Sequence, residues 1–153
     1  MTSDAETTHR IRLPKLRPEF YKALSALDSA AAEGLDPVLL ELIRTRTSQL
    51  NNCAFCLDIH TNDSRAAGES QQRLDVLSAW HEAGSLFTEQ EQAALALAEA
   101  MTLLPNAGVP DPVYQRARAA FNDNELSGIM ATVIAMNAWN RIGVATQLSP
   151  KKR

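Results

Sequence analysis

Cysteine is scarce in this chain: 153 residues carry two. So few exclude a small scaffold held together by several disulfides. Aromatic residues are also sparse, at 5%. The formal net charge of -3 gives no footing for nucleic acid or an anionic membrane as partner. No apolar run is long enough to cross a bilayer, which takes about 20 residues. The most apolar stretch, 129–136, is soon followed by Asn137, Asn140 and Arg141. The first ten residues are polar where a signal peptide needs an apolar segment, so a cytoplasmic location is expected. No segment alternates apolar and polar residues as a half-buried strand does. Internal repeats and low-complexity linkers are missing as well.

What is present reads as helix. With 45% hydrophobic and 22% charged residues, the composition suits one globular domain that buries a core unaided. Residues 18–33 carry Phe20, Leu24 and Leu27 at helical spacing, and Gly34 ends the run. Asp36-Pro37 is a cap followed by proline at the first helical position, opening a helix with Leu39, Leu40, Ile43 and Leu50. Ser70 starts a short helix with Leu74, Leu77 and Trp80 that stops at Gly84. Thr88 and Glu91 form a capping box before an alanine- and leucine-rich helix. Residues 105–110 read as a loop, 112–121 as a helix, and 125–147 as the last helix, with Asn124 as its cap. The expected fold is all-α, a single-domain bundle of about six to seven helices over 17–148. An arm, 1–16, precedes it and a tail, 149–153, follows. The basic stretch 9–22 reads as a solvated arm, with subunit bridging as the other reading.

Both cysteines fall in one segment, Cys53-Ala-Phe-Cys56-Leu-Asp-Ile-His60. With Asn52 as cap and Gly68 as stop, the helix runs over 53–67. At about 100° per residue, Cys53 lies roughly 60° to one side of Cys56 and His60 roughly 40° to the other. Two thiols and an imidazole then share one face, while Phe55, Leu57 and Ile59 point elsewhere and can be buried. A free thiol has a pKa of about 8.5, so bringing it to neutrality takes about 2 kcal/mol of preference for the anion. A helix N-terminus typically supplies about 0.3–1 kcal/mol, so a base is needed as well. His60 sits one turn from Cys56, whereas Cys53 is closer to the helix start. The two arguments compete; the reading adopted makes Cys56 the activated thiolate and Cys53 its disulfide partner.

Other readings use the same residues. Free cysteines pack as small hydrophobes. Cys53, Cys56, His60 and His81 make a Cys₂His₂ set, but the two histidines are too far apart in sequence for a finger-type zinc site. A non-enzymatic redox sensor would use the dithiol as a switch. Asn137, Trp139, Asn140 and Arg141 read as a brace for the site or an interface.

These motifs resemble the alkylhydroperoxidase D-like branch of the carboxymuconolactone decarboxylase superfamily. The matching core is Glu41, Arg46-Thr-Ser-Gln-Leu-Asn51 and Cys53-x-x-Cys56-x-x-x-His60, with further likeness at 86–99 and 137–145. The resemblance spans about 20–147. It implies an all-helical fold assembled as trimers or hexamers and a thiol-dependent peroxide reductase without metal or flavin. Its partners would be a peroxide and an external dithiol such as a lipoyl carrier protein. It places a relay glutamate at Glu41, a relay histidine at His60, and the peroxide-attacking cysteine at Cys56 with Cys53 as its partner. One departure stands out: Phe55 occupies the position of a histidine in the prototype. The superfamily's decarboxylases generally lack the paired cysteines, so the resemblance points away from decarboxylation.

Overall fold

The computed structural model describes residues 10–152; residues 1–9 of the expected arm, His9 included, and Arg153 of the expected tail lie outside that range. Among the described residues there are nine α-helices, two 3₁₀ turns and no strand. In chain order they are α1 (Leu13–Leu16), α2 (Pro18–Ala32), α3 (Pro37–Leu50), α4 (Ala54–Ala66), α5 (Gln71–Val76), α6 (Glu89–Thr102), α7 (Leu104–Ala107), α8 (Asp111–Ala120) and α9 (Asp123–Ala145). The 3₁₀ turns, Leu77–Glu82 and Gly84–Leu86, join α5 to α6. The fold is all-α as expected. The count exceeds six to seven because α1 and α7 are single turns of four residues each.

Local sequence explains most boundaries. Asp36 accepts the Leu39 amide at 2.9 Å and Pro37 sits in the first turn of α3. Thr88 and Glu91 make the expected capping box on α6. Ser70 caps α5, but the helix tightens to 3₁₀ at Leu77 and kinks at Ala79 before Gly84. Three expectations are corrected. The cap of α9 is Asn122, whose side chain pairs with the Glu125 amide while Glu125 reaches back, so Asn124 lies inside the first turn. The cap of α4 is Cys53 rather than Asn52, which turns the chain with φ of 52°. The segment expected as a loop after Leu104 begins with the single turn α7, which Pro105 tolerates at its start.

The core is built around α3, which packs against α4, α6 and α9. Ile43, Leu97, Ile129 and Val133 are fully or almost fully buried where α3, α6 and α9 meet. A second cluster, with Leu42, Leu77, Trp80, Phe87 and Leu95, fastens the 3₁₀ segment to α3 and α6. The third cluster is the one that matters for chemistry. It places Cys53 and Cys56 against Met136, with Phe55 and Trp139 around them.

Candidate active site

The approach to the dithiol is fixed by a polar brace between α3 and α9. Asn51, the last residue before the turn at Asn52, donates to Asn137 Oδ1 at 3.0 Å and Asn140 Oδ1 at 2.9 Å. Asn140 is fully buried and donates to Ser48 Oγ at 3.0 Å. Buried amides need such partners, and these are spent on holding the chain that leads into Cys53. Of the four residues left open between brace and interface, Asn137 and Asn140 brace the site.

Cys53 and Cys56 are joined in a disulfide. Cys53 also accepts the Cys56 amide through its sulfur at 3.3 Å, so the same atom caps α4 and forms the bond. Both residues are buried, with 1% of Cys53 and 4% of Cys56 exposed. Gly143 of α9 lies directly behind them. A Cβ at that position would stand 2.7 Å from Cys53 Sγ and 3.4 Å from Cys56 Sγ. Only a residue without a side chain lets α9 come this close.

His60, two turns into α4, meets Glu41 from α3: Nδ1 lies 2.9 Å from Glu41 Oε2. Glu41 Oε1 accepts Arg44 Nη1 at 2.8 Å, and Arg44 Nη2 reaches Asp28 of α2 at 2.9 Å. A chain of hydrogen-bonded polar side chains thus runs from α2 through α3 to α4. Burial alone would raise the Glu41 carboxyl; the hydrogen bond and charge of His60, then those of Arg44, outweigh it and hold it below its ordinary value. The carboxylate therefore stays ionised and fixes the ring orientation of His60.

Cys56 and His60 line the same cavity, of about 270 Å³. Its wall includes Tyr21, Phe55, Ile59, Met136 and Trp139, with Ser25 and Asp28 as further polar members. Cys53 does not line it, so the cavity meets the disulfide at Cys56. Ile59, which its place on the helix left free to be buried, is 38% exposed and lines this cavity. Tyr21 meets Trp139 edge to face at 4.9 Å between centroids and closes the far wall.

Metal readings find little here. His81 stacks on Trp80 and bonds Glu99 Oε2 at 3.1 Å, engaged away from the dithiol, whose sulfurs are bonded to each other. One donor atom each from Glu41, His60 and Asp63 lies within 4.8 Å of the others. Asp63 is exposed and Glu41 is already committed to His60 and Arg44, so the trio carries no metal assignment.

A model of the carboxymuconolactone decarboxylase family matches residues 18–100, which include Glu41, Cys53, Cys56 and His60. The chain belongs to the carboxymuconolactone decarboxylase family. Within it, the chain is 35% identical to the uncharacterized protein YdfG of Bacillus subtilis over 139 residues, covering 90% of this chain and 94% of YdfG. It is 30% identical to the uncharacterized protein YnjA of Escherichia coli over 114 residues, 74% of this chain and 62% of YnjA. The crystal structure of ATU0492 from Agrobacterium tumefaciens superposes with a TM-score of 0.90 at 37% identity, covering 95% of this chain and 99% of that one. ATU0492 is described as a protein of unknown function and a candidate antioxidant defence protein AhpD. These likenesses set this family member on the alkylhydroperoxidase D-like branch.

Sequence spacing alone brings Cys53, Cys56 and His60 together; Glu41 joins them through the packing of α3 on α4. Gly143, Arg44 and Asp28 escaped the sequence reading. Gly143 did leave a signal: a glycine inside a 23-residue helix costs about 1 kcal/mol relative to alanine and needs a packing reason.

Proposed function

We propose that this protein is a thiol-dependent hydroperoxide reductase that cycles Cys53 and Cys56 between dithiol and disulfide. The observation that carries the reading is the cavity that Cys56 and His60 share, with Glu41 bonded behind His60. In the reduced protein, Glu41 holds His60 Nδ1, leaving Nε2 to take the Cys56 proton directly or through a water. The thiolate attacks the distal oxygen of ROOH. The O–O bond breaks, RO⁻ takes a proton to leave as ROH, and Cys56 becomes a sulfenic acid. The Cys53 thiol displaces hydroxide from that sulfur, giving the disulfide and water. An external dithiol returns both cysteines to thiols by exchange and is itself oxidised. Two electrons pass from dithiol to peroxide in each cycle, and no metal or flavin enters.

The test is steady-state peroxide consumption driven by a dithiol such as dihydrolipoamide. Turnover by wild type, its abolition in Cys56→Ser, and a fall of about 10²-fold in His60→Ala are expected. A protein that oxidises once and then stops would instead be the dithiol sensor.

A further inference from the structure

A second, larger hollow of about 620 Å³ adjoins the cavity at Cys56. The two share Tyr21, Phe55, Ile142 and Leu148, so they lie on either side of these four side chains. Its outer wall comes from both ends of the described chain, Arg10–Pro14 before α2 and the segment after α9. Arg10 ties these ends together by donating to Ala145 O at 2.8 Å. That carbonyl belongs to the C-terminal turn of α9, where a cation is favoured.

The charge of this outer wall is one-sided. Among the described residues Arg10, Arg12 and Lys151 line it, and no aspartate or glutamate does. In a chain of net charge -3, three cations at one mouth are a local excess. Arg12 and Lys151 are exposed and form no salt bridge with another described residue. The same hollow is lined by apolar Ile11, Leu13, Phe55 and Ile142, of which Phe55 and Ile142 also line the cavity at Cys56. Together the two adjoining hollows present cations on the outer wall, apolar side chains shared between them, and Cys56 in the inner cavity. Its size is that of an ordinary small-molecule site.

We propose that the hollow selects hydroperoxides with an apolar body and a carboxylate at the opposite end from the peroxide, in the manner of a fatty-acid hydroperoxide. This rests on the peroxide-reductase reading of Cys56. The carboxylate stays at the rim with Arg12, Lys151 and the free face of Arg10. The chain lies along the apolar wall, and the peroxide reaches Cys56. Rim cations act through attraction and orientation, so their effect falls as salt rises.

The experiment compares a long-chain fatty-acid hydroperoxide, its methyl ester and cumene hydroperoxide under one dithiol, below micelle-forming concentrations. Wild type is compared with the double variant Arg12→Glu/Lys151→Glu, whose exposed positions leave the core intact. The free acid should exceed its ester in kcat/KM. The double variant should lower the acid's value about tenfold and leave ester and cumene hydroperoxide unchanged. Equal values for acid and ester in wild type, or an unchanged acid preference in the variant, would overturn the proposal while leaving the reductase reading standing. A variant slowed equally with all three peroxides, through weaker use of the dithiol, would also overturn it and assign the cations to the reductant. If no peroxide is turned over, the reductase reading itself fails. Calorimetric binding of the non-peroxidised fatty acid then still tests the rim: binding weakened about tenfold by the double variant supports the anion site, and binding absent or unaltered removes it.

Discussion

Gly143 sets how near α9 can come to the dithiol. A methyl group there would stand 2.7 Å from Cys53 Sγ, so either the helix or the disulfide must move. Gly143→Ala should destabilise the oxidised protein by about 1–3 kcal/mol, the usual cost of overpacking, despite alanine's better helix propensity. Thermal unfolding of oxidised and reduced forms checks this, and the loss should be larger in the oxidised form. Glu41 makes a second residue-level prediction. Its carboxyl is held below its ordinary value, so its stabilising effect is complete above the unfolded carboxyl value of about 4.5. It is lost as pH falls through the lower folded value. Glu99, which accepts from Trp80, Arg46 and His81, is lowered for the same reason and contributes in the same window. Glu41→Gln should therefore flatten the acid limb of stability against pH, measured by denaturant midpoints below pH 5. The cysteines and His60 were legible because one short segment carries all three. Glu41 was legible only through family likeness, since its partner lies 19 positions away on another helix.

At the scale of the element, helix starts were the most readable features. Thr88, Asp36 and Ser70 act as caps where their side chains and the following residues say they should. Thr88→Ala should cost about 1 kcal/mol, seen as a lower urea midpoint with unchanged slope. The misplaced caps have separate causes. Asn122 and Asn124 are both good caps, and it is Glu125, three residues after Asn122, that selects the former through a capping box. At α4 the sulfur of Cys53 took the role reserved for Asn52, because the chain needs a left-handed residue in that turn and asparagine tolerates it. The short turns α1 and α7 left no periodic pattern, being shorter than the repeat that would reveal them.

At the scale of the whole molecule, the helices form a frame that presents one sulfur to one cavity. α3 carries Glu41 and ends at the cap Asn51, α4 carries Cys56 and His60, and α9 carries Gly143 and Asn140. The frame works because α3 packs on both of the others. Periodicity announced that these helices exist, but their mutual placement depends on buried polar contacts such as Asn140 to Ser48, which no spacing rule exposes. The central claim is that Cys56, activated by the His60–Glu41 pair, reduces peroxide with Cys53 as its partner. Its most direct test adds one equivalent of hydroperoxide to the fully reduced protein and counts thiols, with mass mapping of the resulting bond. The account predicts the loss of both thiols per chain, a Cys53–Cys56 link and one equivalent of alcohol. Intact thiols beside unconsumed peroxide would contradict it.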